Sequence, residues 1–301
     1  MTQEELLAFL RKANIDVNTG GLMPEESAGK FIDTVIDQSQ FLKLVRTEKG
    51  IVKQRNLDTI GVSTRLMYKS VEGTDPTSGE IKAISVGQRT LVPVEVSLPY
   101  NIGMEWLRKN IAGGAGEDQV NAAFAKQFAN DLVDLAFNGD TTGSGFVAIT
   151  HGYLKRASLD ASTHEVDRSD SEDWKGIVFP ALYAALPYKY RTNPDNLILL
   201  VNPDCEMEYR QQLADRATGL GDAFLTEGKR AYYQGIVVEP CFALATSGQC
   251  MLTIKQNLAV GFGRDIEVYR QINPRASLIE YTIKASVDAN YVLSDTLVWC
   301  E

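Results

Sequence analysis

Histidine is nearly absent from this 301-residue chain, and the two that occur, His151 and His164, cannot build a His-Glu-x-x-His zinc helix. Both sit in stretches rich in Gly, Ser, Thr and Asp, which read as exposed loops. Cysteine is equally sparse. Cys205, Cys241, Cys250 and Cys300 contain no Cys-x-x-Cys pair, so neither a zinc ribbon nor a thioredoxin-type site is visible, and they read as reduced, small apolar fillers. Positive charge is in deficit. Against 39 Asp and Glu stand 30 Lys and Arg, a formal net charge of -9, so the chain has no basic field for gripping a phosphate backbone. Nucleic acid near it is expected to be enclosed without sequence-specific binding. No apolar run approaches the ~20 residues of a membrane span. The run Leu6 to Leu10 is also too short for a signal-peptide core, and Glu4 and Glu5 stand where such a signal needs positive charge. A cytoplasmic site of synthesis and no membrane contact are the expectations.

The motifs of common enzyme chemistry are missing as well. Gly219-Leu220-Gly221 lacks the third glycine of a dinucleotide fingerprint, and neither Gly29-Lys30-Phe31 nor Gly228-Lys229-Arg230 has the Ser or Thr that completes a phosphate-binding loop. There is no Gly-x-Ser-x-Gly elbow. The stretch Asn138-Gly139-Asp140-Thr141-Thr142-Gly143 is oxygen-rich, but no glutamate stands where a calcium loop requires it. No catalytic, cofactor-binding or metal-ligating residue is assigned.

What is present is an ordinary globular composition, 44% hydrophobic and 23% charged. A chain this long buries roughly three quarters of its unfolded surface and needs no disulfide. Thr2 to Lys12 reads as a short helix, and a second, introduced by Pro24 and two glutamates, runs to about Val45. From Gly50 the period changes. Ile51 to Leu57, Ile60 to Tyr68 and Val92 to Leu98 carry strand signals, and the turn-rich Val71 to Glu80 between them, followed by a return run Ile81 to Val86, reads as a hairpin tip. Ten-residue strands rise ~33 Å, and a hairpin standing alone in water is marginally stable. Such an arm requires a surface to lie on.

Residues 117–137 form the clearest helix: Val120, Phe124, Phe128 and Leu132 recur at fours, with Asn138-Gly139 as its stop. A second α/β lobe follows. It combines a helix Trp174 to Leu186, a buried strand Leu197 to Val201, a helix Asp204 to Ala214 capped by an acidic side chain, and short strands at Ile236 to Glu239, Met251 to Ile254 and Leu258 to Phe262. Ile266 to Gln271, Leu278 to Ser286 and Ala289 to Trp299 read as strands returning to the first lobe's sheet.

This order of elements resembles the major capsid protein of tailed bacteriophages, the Hong Kong 97 type of fold. Local matches are Gly21-Leu22-Met23-Pro24-Glu25, the helix running into Phe137-Asn138-Gly139-Asp140, and Gly152-Tyr153-Leu154. Leu182 to Pro187 with Tyr190-Arg191, the strand ending at Asn202-Pro203, and Gly235 to Val238 match the axial domain of that family. The resemblance implies an α+β capsid fold with an N-terminal arm (1–49), an extended β-hairpin loop (50–90), a peripheral domain with a long spine helix (91–171), an α/β axial domain (172–263), and return strands (264–301). It implies a structural, non-enzymatic protein that assembles with itself as pentamers and hexamers into an icosahedral shell around phage double-stranded DNA. The implied location is the virion, after assembly in the host bacterial cytoplasm. Only about twenty residues precede Gly21, short of the cleaved scaffolding segment that some members carry, which implies a separate scaffold protein or none; a portal and a decoration protein are further partners that the resemblance implies. The charges of the hairpin tip, Lys69, Glu72, Asp75, Glu80 and Lys82, are the expected intersubunit contacts, and no reactive lysine is assigned. Two alternatives stand beside this reading: an encapsulin-like compartment shell with the same fold, and a cytoplasmic α/β enzyme with its site in the second lobe.

Overall fold

The computed structural model describes residues 21–22, 32–33, 35–37, 39–61, 67, 69, 75, 77, 85–105, 116–167, 173–215, 230–244, 249–264 and 267–300. The expected helix Thr2 to Lys12 and most of the hairpin tip lie outside the described residues.

Among the described residues, two six-stranded sheets carry the fold, with a separate two-stranded ribbon. The first sheet is built on one long strand, β13 (Leu278–Tyr291). One edge of β13 pairs with β5 (Val94–Gly103), from Val94↔Val287 to Gly103↔Leu278. Its other edge pairs with β11 (Leu258–Gly263) and then β12 (Glu267–Asn273), both antiparallel. Beyond them, β2 (Arg46–Ile51) adds parallel to β11 and β1 (Gly21–Leu22) antiparallel to β12. The sequence pattern splits β13 in two because Asp288 and Asn290 interrupt the apolar alternation. Both are buried, two residues apart on one face of the strand, and both serve the arm described below.

The spine helix, α2, spans Gly116–Asn138, following a short α1 at Gln40–Leu44. Its 23 residues make a rod of ~34 Å at ~1.5 Å per residue. Phe128, Leu132, Val133, Leu135 and Ala136 form the buried stripe, and Lys126 and Gln127 face out. Phe124 stacks on Tyr100 of β5 at 3.9 Å, which in turn stacks on Tyr281 of β13 at 5.0 Å. Each fully buried large side chain on this stripe contributes about 1.5–3 kcal/mol.

Gly139 does not act as a left-handed helix cap, since its φ is not positive. Its role is close approach. Its N–H donates to Leu135 O at 3.0 Å, and its carbonyl accepts from Gly152 N–H at 2.8 Å, where α3 (Tyr153–Leu159) begins. A Cβ on Gly139 would come within 2.7 Å of Leu135 O and 2.9 Å of Gly152 N, and one on Gly152 within 2.6 Å of Phe137 O. The two glycines let the helices meet backbone to backbone, so that Phe137 packs edge-on against Tyr153 at 5.3 Å. Gly139→Ala is therefore expected to destabilise the chain by about 3 kcal/mol or more, as strain that only backbone movement relieves. A urea midpoint unchanged from the parent would contradict this.

The second sheet orders β6 (His164–Glu165), β14 (Val298–Cys300), β10 (Cys250–Ile254), β7 (Leu197–Val201), β9 (Ile236–Pro240) and β8 (Tyr232–Tyr233). All five residues of β7 are buried. Two strands belong elsewhere than their sequence neighbours suggest: β11 pairs in the first sheet, and β14 pairs with β10 in the second.

Local chemistry differs from expectation at four points. The second helix is interrupted at Ser39, an extended residue whose hydroxyl caps α1 by accepting from Leu42 N–H. The helix expected from Trp174 opens as a π turn, Trp174–Val178, before α4 (Phe179–Ala185), because the Asp173 carboxylate takes Gly176 N–H and Pro180 stands in the first turn. Helix α5 (Pro203–Ala214) is capped by Asn202, which accepts from Asp204 N–H at 2.8 Å, and not by an acid. Neither histidine is exposed: His151 is half-buried against Thr141, and His164 stands on β6 with a buried Nε2 that has no partner among the described residues. All four cysteines are buried.

Candidate functional site

The two-stranded ribbon is the arm. In it β3 (Arg55–Gly61) pairs with β4 (Ser85–Leu91) from Arg55↔Leu91 to Gly61↔Ser85. Polar side chains cross-link its exposed face: Gln88 donates to Asp58 at 3.0 Å, Thr90 to Asn56 at 3.4 Å, and Thr59 to the Gly87 carbonyl at 3.0 Å. Among the described residues the arm's core lies at its root, where Leu57 and Leu91 are buried with Ile51 and Ala259. The described part of the arm pairs with no other strand.

Three charged or polar knots fix the root. Asp288 of β13, 2% exposed, accepts from Val92 N–H at 2.7 Å, Ala289 N–H at 2.9 Å, the Thr150 hydroxyl at 3.0 Å and Arg156 Nη2 at 2.9 Å. Burial raises the Asp288 carboxyl above its ordinary range, and these donors only partly offset it. Asn290 donates to the Thr90 carbonyl at 2.9 Å. Arg89 of β4 then bonds both Asp160 and the Ser294 hydroxyl while its guanidinium lies 4.9 Å over the Tyr291 ring. Asp160 is the hub of this third knot, also accepting from the Tyr291 hydroxyl at 2.9 Å and the Ser294 hydroxyl at 2.8 Å. Burial alone would raise its carboxyl. The Ser162 amide, the Ser294 and Tyr291 hydroxyls and Arg89 outweigh burial and hold it at about 2. Across the start of the arm, Glu48 bridges Arg46 at 2.5 Å and Arg55 at 2.8 Å.

The sign of the Asp160 shift gives a test. A depressed carboxyl stabilises the fold above its unfolded value and loses that contribution as pH falls through about 2. Arg89→Ala removes one of the groups holding it down, so acid unfolding followed by circular dichroism should move to higher pH, with the root loosened. An unshifted acid limb would place Arg89 outside the knot.

Of the tip charges expected to meet a partner, Lys69 and Asp75 are described and exposed. Glu72, Glu80 and Lys82 lie outside the described residues. Met67 is 97% exposed, an apolar side chain presented to solvent beside Lys69. The anchoring residues Arg89, Asp160, Asp288 and Tyr291 were not singled out by sequence. A buried aspartate between Val287 and Ala289 was the one available signal.

A cleft of about 190 Å³ lies between Gln40, Glu206, Arg210, Arg230 and Glu239. Its charges are paired internally: Arg210 with Glu206 at 2.5 Å, Arg230 with Glu239 at 3.8 Å, and Gln40 donating to Glu239. These contacts tie the segment before β2 to the second sheet. Among the described residues, no group of three or more His, Cys, Asp and Glu side chains is placed to hold a metal ion, and no helix is long and apolar enough to cross a membrane.

No family model matches the chain. A protein of Bacillus subtilis (strain 168) named "Putative prophage capsid protein YqbE" is 28% identical over 291 residues, covering 91% of this chain and 92% of that protein. Among solved structures, a chain of the satellite phage P4 procapsid that includes the size determination (Sid) protein superposes with a TM-score of 0.70, at 14% identity, over 100% of this chain and 98% of that one. A chain of Gordonia phage Cozz gives 0.61 at 12% identity, over 88% and 86%. The fold is the one these phage chains share, α+β and of the Hong Kong 97 type.

Proposed function

We propose that this chain, which carries the Hong Kong 97-type fold, is the major capsid protein of a tailed phage or prophage, a structural subunit that assembles with itself into a closed shell. The observation that carries this reading is the arm. It is held rigidly at its root by buried polar knots, yet the described part has no sheet partner within its own chain. An isolated two-stranded ribbon is marginally stable, so the missing stabilisation comes from a neighbouring subunit. The relation to a prophage protein of matching length supports the phage reading over an encapsulin-like compartment. The likeness to a prophage capsid protein and to phage capsid chains supports a structural role over the α/β enzyme.

Within this reading, residues 1–49 are the N-terminal arm, 50–90 the extended loop, 91–171 the peripheral domain, 172–263 the axial domain and 264–301 the return strands. β11 and β14 cross those limits by pairing into the opposite sheets. Lys69, Glu72, Asp75, Glu80 and Lys82 meet the neighbour. Subunits form pentamers and hexamers in the host cytoplasm, with a separate scaffold protein, a portal and a decoration protein as partners. The net charge of -9 suits a wall that encloses DNA without gripping it.

The test is the content of particles produced in an infected or induced host. Nuclease-protected double-stranded DNA inside shells of this chain is the expected result. Shells holding a stoichiometric cargo protein and no DNA would replace the phage reading by the compartment.

A further inference from the structure

The second core contains three of the four thiols: Cys205 from α5, Cys250 from β10 and Cys300 from β14. The antiparallel register sets Cys250 directly opposite Cys300, and both are 0% exposed. Their side chains share a face of the sheet, since Cys250 and Leu252 on one strand and Val298 and Cys300 on the other enter the same core, while Met251 and Trp299 enter the other. Directly opposed residues of an antiparallel pair have Cα atoms about 4.5–5.5 Å apart, inside the range that a disulfide spans.

We propose that Cys250 and Cys300 are a latent cross-strand disulfide, reduced while the chain is in a reducing cell and closed when it meets a small-molecule disulfide. The exchange is balanced. One cysteine, as thiolate, attacks a sulfur of glutathione disulfide and releases one glutathione thiol. The second cysteine then loses its proton and attacks the protein-bound sulfur, forming the Cys250–Cys300 bond and releasing a second glutathione thiol. Two protein thiols are oxidised and one small disulfide is reduced.

Burial sets the rate. The thiols react only when β14, three residues long and paired on its far side with the two-residue β6, opens locally. The closed bond would join the two ends of the segment that carries β11, β12 and β13, restricting the unfolded chain. A shell released from a lysed cell moves from a reducing to an oxidising medium, which gives the reaction its occasion. Only this occasion rests on the capsid reading, because the thiols can be followed in the purified chain whether or not it assembles.

The purified chain is incubated with glutathione disulfide at neutral pH, with and without low urea, quenched with acid, alkylated and mapped without reduction. The expected outcome is loss of two free thiols per chain and a peptide joining Cys250 to Cys300, formed faster in low urea. The same peptide should form in Cys205→Ser and vanish in Cys250→Ser and Cys300→Ser. The oxidised parent should gain a higher Tm that dithiothreitol reverses. All four cysteines alkylated in both media, mixed disulfides with glutathione alone, or a bond to Cys205 would overturn the proposal, and the map of the parent chain decides among these without any variant.

Discussion

Replacing residues 71–80 with a short Gly-Ser turn is expected to abolish shell formation at concentrations where the parent assembles, while the urea midpoint of the isolated subunit stays close to the parental one. The expectation follows from where the arm's stability resides. Leu57 and Leu91 at the root are buried, and Arg89, Thr90 and Val92 are bonded to the body. Folding of the subunit needs that root and not the tip. Each tenfold rise in the concentration required for assembly corresponds to about 1.4 kcal/mol of lost contact energy. If the tip clasps a neighbour at every subunit boundary, as proposed above, its removal raises the threshold by well over tenfold. Light scattering against concentration, paired with urea unfolding of the same samples, separates the two quantities. Equal damage to both would mean that the tip belongs to the subunit's own fold.

Asp288→Ala should have the largest effect on the subunit itself, about 3–5 kcal/mol, the range for removing one partner of a buried charge pair. The substitution leaves Arg156 without its carboxylate and the Val92 N–H and Thr150 hydroxyl without an acceptor. Asp288→Asn should cost less, since an amide oxygen still accepts from these donors even though Arg156 loses its carboxylate here too. The pH dependence runs opposite to that of Asp160. Because the folded carboxyl is raised by burial, its contribution is fully present below the unfolded carboxylate value and is lost as pH rises through the folded one. The difference in stability between parent and Asp288→Asn should therefore be most favourable to the parent at acid pH. Urea unfolding of both variants across that range checks the order, and an Ala variant as stable as the Asn variant would remove Asp288 from its place at the root.

Elements whose signals are local were legible in the sequence. The stripe Phe128, Leu132, Leu135 on the spine helix and the all-apolar β7 needed no long-range information. Gly139 and Gly152 were visible as motif residues, but their reason was not, because close backbone approach depends on where a second helix packs. Sheet membership was lost for the same reason. β11 and β14 each look like a generic buried strand, and only the packed chain decides which neighbour they take. Asn202 displaced an acid as helix cap, and Ser39 broke a helix, through single side-chain bonds that compete with periodicity. The knots at the root were the least legible. Among 39 carboxylates nothing local distinguishes Asp160, whose partners come from β4, β13 and the Ser294 turn.

The central claim is that this chain is a shell subunit whose arm reaches over a neighbour. Electron microscopy of the purified protein, extended to a reconstruction, tests it most directly. Closed shells of uniform diameter, with the ribbon of one subunit lying on the body of the next, are the predicted result. A small monomer under all salt conditions and with co-expressed scaffold candidates, or a shell in which each arm folds back on its own subunit, would contradict it.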